Sequence, residues 1–135
     1  MLRYDKFNAI VLKNGFFSDI EITKVIHESA WIVLPYLSVY SSGVLLRTIE
    51  QETPLIHSDL KSLNSITHNK SVSVLSKAGS ASSLQQAMEH ALNSDHLKFV
   101  KNTQRLKRLL IERNNIYNSS NFPKFLESIG LHSES

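Results

Sequence analysis

Trp31-Ile32-Val33-Leu34-Pro35-Tyr36-Leu37-Ser38-Val39-Tyr40-Ser41-Ser42-Gly43-Val44 is the stretch on which the fold turns. Trp31 to Leu34 is apolar at every position, as a parallel strand covered on both faces would be, and Pro35 ends it because proline has no N–H for the ladder. A segment rich in hydroxyls then reaches Gly43, and Val44-Leu45-Leu46 through Glu50 predict a helix beginning near Ser42. A strand that passes through small residues into a helix is half of a βαβ unit, and Pro54-Leu55-Ile56 opens the next strand.

The same alternation extends to both sides. Upstream, Ala9-Ile10-Val11-Leu12 reads as a short buried strand closed by Lys13-Asn14-Gly15. Ser18-Asp19-Ile20-Glu21 then has capping-box spacing, and Ile22, Val25 and Ile26 repeat with helical period to about Glu28. Downstream, Ser58-Asp59 is expected to cap a short helix, and Val72-Ser73-Val74-Leu75 to form an alternating strand before Lys77-Ala78-Gly79. Leu84, Ala87, Met88, Ala91 and Leu92 define the inward face of a helix started by a serine at 80, 82 or 83. A longer helix from Asp95 to about Asn114 turns Val100, Thr103, Leu106 and Leu110 inward, and a last one is expected from Phe122 to Ile129. Four strands alternating with helices predict an α/β fold: a Rossmann-like parallel sheet with right-handed crossovers and flanking helices. Residues 1–135 read as a single domain, with a sheet core over 1–79 and extra C-terminal helices over 80–135.

Composition narrows the function classes. A chain of 135 residues with 41% hydrophobic residues is sized for one globular core. The absence of cysteine removes disulfides, thiolate metal sites and cysteine nucleophiles, and makes a cytoplasmic setting the default expectation. A net charge of +3 does not by itself argue for nucleic acid, and it suits an anionic ligand. The longest apolar run, Ala30 to Leu37, falls far short of the ~20 residues of a membrane span, and no apolar leader opens the chain.

In an open α/β sheet, ligands bind beyond the carboxyl ends of the strands, where helix N-termini present free N–H groups. Two loops qualify by position: Lys13 to Ser18 and Tyr36 to Gly43. The second places hydroxyls and a glycine at a helix start, so its backbone amides can approach a phosphate closely, and a diphosphate seat is the sharper reading. The same residues also serve as an ordinary helix cap, and spacing alone leaves both uses open.

Four blocks, taken in order, carry a resemblance. Asn14-Gly15-Phe16 with Ser18-Asp19-Ile20-Glu21, then Trp31 to Tyr36, then Ser42-Gly43-Val44-Leu45-Leu46, and finally Thr53-Pro54-Leu55-Ile56 with Ser58-Asp59-Leu60 resemble the C-terminal, donor-binding domain of group 1 (family 4) GT-B glycosyltransferases. The likeness is close over residues 8–60 and holds only in pattern from Ser80 to Asn114. It implies a nucleotide-sugar donor and glycosyl transfer to a saccharide or lipid-linked acceptor, as in bacterial polysaccharide biosynthesis, with no cofactor. It implies that Ser41, Ser42, Gly43 and Val44 hold the donor diphosphate, and that Asn14, Gly15 and Phe16 lie near the nucleotide base. Tyr40 and Arg47 flank that loop as further candidate donor contacts, although an arginine there also suits a solvated or ion-paired surface. The two glutamates of the family signature would fall on Val39 and Arg47, so this chain departs from the family at ribose and sugar recognition. The family's upstream basic pair and its acceptor domain have no counterpart in these residues. The expectation is a partial donor domain whose catalytic residues are unknown and which works with a companion chain or as a homo-oligomer.

Other constellations are weaker. The histidines, His27, His57, His68, His90, His96 and His132, show no i, i+4 pair and no acidic cluster, so no metal is expected. His57, near a strand end, reads as a surface or locally paired imidazole. Lys98, Lys101, Arg105 and Arg108 form a basic stripe on one helix, either a solvated face or a peripheral contact with anionic lipid at the inner membrane face. The rival to the transferase reading is a noncatalytic α/β interaction module whose open sheet edge meets a partner or a second copy.

Overall fold

The computed structural model describes residues 10–38, 42–67 and 71–116. Helix α1 (Asp19–Glu28) leads to strand β1 (Ile32–Leu34), followed by α2 (Gly43–Glu50), β2 (Leu55–Ser58), α3 (Lys61–Thr67), β3 (Ser73–Ser76), α4 (Ala81–Leu92) and α5 (His96–Ile116). The strands form one parallel sheet in the order β1-β2-β3, with Ile32 opposite Leu55 and Ser58 opposite Ser76. The molecule is therefore an α/β protein with a three-stranded open parallel sheet and five helices among the described residues.

Strand alternation divides the core. Leu34 and Leu55 face one side, where Leu45 and Ile49 of α2, Leu63 and Ile66 of α3, Leu106 of α5 and Val72, just ahead of β3, pack with them. Ile56 and Val74 face the other, against Ala87 and Ala91 of α4, with Trp31, Val33, Leu84 and Phe99 at the margin. Trp31 meets Phe99 edge-on with ring centroids 5.0 Å apart, which ties the start of β1 to α5. Thr103 is buried and gives its hydroxyl to the Phe99 carbonyl at 2.8 Å, so a polar residue sits inward on α5 without an unmet hydrogen bond.

Three expectations are corrected. Ile10, Val11 and Leu12 belong to no strand, and Val11 is 82% exposed; an apolar run becomes a strand only where a neighbour completes its ladder. Ser58-Asp59 does not cap α3. Ser58 is the last residue of β2, the Asn64 amide donates to the Leu60 carbonyl, and the Asp59 carboxylate takes the side-chain N–H of Asn64. On α4, Met88 and Leu92 are exposed rather than inward, because the helix approaches the sheet along the small residues Ala87 and Ala91 and the next row of the wheel stays in water. The helix expected over 122–129 lies outside the described residues. Among the described residues no helix is long and apolar enough to cross a membrane.

Candidate functional site

The carboxyl ends of the strands collect the helix starts. α2 connects β1 to the parallel β2, and α3 connects β2 to the parallel β3, so each begins on the carboxyl side of the sheet. α4 begins there too, directly after β3. For α1 the direction follows from Thr53, just before β2, whose hydroxyl donates to the Ile26 carbonyl at 2.9 Å; the C-terminal end of α1 is on the amino side, and its start is on the rim.

Ser42 and Gly43 lie on this rim, as the sequence suggested. The Ser42 hydroxyl is buried and accepts the Leu45 N–H at 3.1 Å, which fixes the first turn of α2. That cap leaves the N–H groups of Gly43 and Val44 without an acceptor among the described residues, and a Cβ at Gly43 would meet nothing within 4 Å. Ser41, Tyr40 and Val39 lie outside the described residues.

The Asn14–Phe16 loop precedes the Ser18 cap of α1, with Gly15 at φ 117 and the Phe16 ring 102% exposed. Arg47 joins this loop's helix to α2: its guanidinium, from the last turn of α2, pairs with the Asp19 carboxylate at the start of α1 at 2.8 Å. The arginine is thus ion-paired on the surface of α2, and reaching a phosphate would require exchanging one anion for another.

His57 is fully buried at the end of β2. Its Nδ1 lies 2.9 Å from the Ser58 carbonyl and its Nε2 3.0 Å from the Thr67 hydroxyl. Burial holds its pKa below the ordinary 6.5, opposed by the Ser58 carbonyl and the negative charge of Asp59. It faces α3, not the rim, and is a structural group.

One part of the rim escaped the sequence reading. Pro35, Leu37, Ser58, Ser76, Lys77, Gly79 and Ser80 line a cleft of about 120 Å³ at the ends of β2 and β3. Its signal was present: Ser76-Lys77-Ala78-Gly79-Ser80 repeats, at the next strand–helix junction but one, the small-residue composition of the Ser42–Gly43 loop. A larger hollow of about 360 Å³ lies between α4 and α5, lined by His90, Asp95, Lys98, Phe99 and Asn102. No group of three or more metal-ligating side chains occurs among the described residues.

A scan against protein-family models and searches of curated proteins and of solved structures return no match to this chain.

Proposed function

We propose that this chain binds a nucleotide sugar and forms the donor side of a glycosyltransferase. The observation that carries the reading is the start of α2: a serine-capped helix on the carboxyl rim of a parallel sheet, with amides at Gly43 and Val44 unengaged among the described residues. The resemblance over residues 8–60 supplies the chemistry, since the donor diphosphate would rest on those amides, and the neighbouring Asn14–Phe16 loop would face the base, with the exposed Phe16 ring available for stacking. Positive charge beside the departing diphosphate and an acceptor-binding surface would come from another polypeptide segment that closes the cleft.

A thermal-shift series with uridine and guanosine diphosphates tests this directly. A ligand with a millimolar dissociation constant, present at tenfold excess over that constant, stabilises the fold by roughly 1.4 kcal/mol, and Gly43→Pro, which deletes one amide donor at the first helical position, weakens the effect. Stabilisation by neither nucleotide counts against the reading.

A second reading is favoured by a different observation. Val11, Phe16, Ile20 and Val25 are all exposed along the segment preceding β1, and β1 pairs only with β2 among the described residues. Exposed apolar side chains and an open sheet edge both suit a companion chain or a second copy, with or without a nucleotide.

A further inference from the structure

We propose that the cleft between the ends of β2 and β3 and the start of α4 is a phosphate-sized anion site, separate from the α2 seat and independent of the nucleotide-sugar reading. Ser58 and Ser76 are register partners at the last positions of their strands. Strand alternation puts both on the face of Ile56 and Val74, so the apolar surface under α4 ends, at the rim, in two adjacent hydroxyls. Ser58 is 1% exposed and Ser76 4%, both line the cleft, and neither hydroxyl has a hydrogen-bond partner among the described residues. Each hydroxyl opens onto the cleft rather than being sealed in the interior, and two such groups side by side in one wall are placed to meet a ligand oxygen.

The rest of the cleft supplies what an anion needs. α4 has 12 residues, and Ser80 caps it by accepting the Ser83 N–H, which leaves the Ala81 and Ser82 amides without acceptors. Gly79, at φ 79, carries the chain into that start, and its own N–H is likewise unengaged. Lys77 lines the cleft and brings a positive charge, while its backbone N–H is held by the Ser83 hydroxyl at 2.8 Å, so the loop is fixed in place. Pro35, Leu37 and Leu84 form apolar walls that strengthen the electrostatics inside. The nearest acidic side chain in sequence, Asp59, is turned to the side-chain amide of Asn64. A cleft of about 120 Å³ has room for a phosphate or sulfate group.

The chain has four glycines, among them Gly43 at one seat and Gly79 at the other, so glycine-selective 15N labelling separates the two. Titration with inorganic phosphate, against chloride at equal ionic strength, should move the Gly79 amide saturably, and any response of Gly43 reports separately on the α2 seat. Ser76→Ala and Ser58→Ala should each weaken binding about tenfold, the loss expected for one hydrogen bond to a charged group. Without phosphate, neither substitution should lower the melting temperature, because each removes a hydroxyl that has no partner. A parallel titration with glycerol phosphate distinguishes the source: tighter binding than inorganic phosphate identifies an ester as the natural ligand, equal or weaker binding the free ion, and either supports the seat. A Gly79 shift that does not saturate, a shift reproduced by chloride, or undiminished binding in both serine variants would overturn the proposal. Phosphate acting on Gly43 alone would also overturn it. Uridine diphosphate in the same experiment reports on Gly43, so failure of the donor reading and failure of this one are separately visible.

Discussion

His57 holds its ring between two fixed partners, and the proton positions follow from chemistry. The Ser58 carbonyl can only accept, so Nδ1 carries the hydrogen, and Nε2 of the neutral ring must accept from Thr67. The Thr67 hydroxyl also lies 3.3 Å from the Leu63 carbonyl, but it has one proton, and the shorter contact to the imidazole takes it. Thr67→Val keeps the shape and strips Nε2 of its donor, which should cost about 1–3 kcal/mol in urea unfolding. The depressed pKa sets a pH dependence of definite sign. Above 6.5 the ring is neutral in both folded and unfolded chains, and its contribution to stability is fully present. As the pH falls below 6.5 the unfolded chain binds a proton that the buried ring resists, so stability is lost from there down to the folded-state pKa. His57→Gln should be less stable at pH 8 and should flatten the decline between pH 7 and 5; an unchanged slope in the variant would assign it to another group.

Helix starts decide what the rim can offer. The caps at Ser42 and Ser80 each accept one amide and leave others open, so the same residues that stabilise α2 and α4 expose their ligand-ready N–H groups. Ser42→Ala and Ser80→Ala should each cost about 1 kcal/mol, measured as a shifted denaturant midpoint at constant slope. In the Arg47–Asp19 pair joining α1 to α2 the carboxylate is exposed and the arginine partly covered, and a double-mutant cycle should return less than about 1 kcal/mol, fading with salt. At this scale much was legible in sequence. Pro35 marked the end of a buried strand, the serines at 18, 42 and 80 marked helix starts, and Thr103, Leu106 and Leu110 marked the inner face of α5. What failed had a common cause. Ile10 to Leu12 looks like a strand, and Leu92 like a core residue, because composition reports the tendency to be buried and not whether a surface is there to cover them. The Ser58–Ser76 cleft was hidden for a related reason: the two residues lie 18 positions apart, and only the parallel register makes them neighbours.

A three-stranded sheet covered on both faces still has borders, and in this molecule they differ chemically. α5 presents Lys98, Lys101, Arg105 and Arg108 to water, and like charges of this kind would oppose close approach of a second copy along this face. The segment before β1 presents Val11, Phe16 and Ile20, and β1 pairs only with β2 among the described residues. Exposed side chains that touch little contribute little to the fold, so Phe16→Ser and Ile20→Ser should each leave the unfolding free energy within about 0.5 kcal/mol of the parent. Association is where they should matter, since exposed apolar surface gains only when something covers it. Light scattering over a concentration series should show the parent chain's apparent mass rising, and the double variant holding at the 15.3 kDa of one chain. High salt sharpens the comparison: it screens repulsion between the basic α5 faces and leaves apolar contact intact, so it should raise the apparent mass of the parent and leave the variant unchanged. A parent that stays at one chain's mass throughout would show that this border waits for a different polypeptide, and identical rises in parent and variant would remove it from any role in assembly.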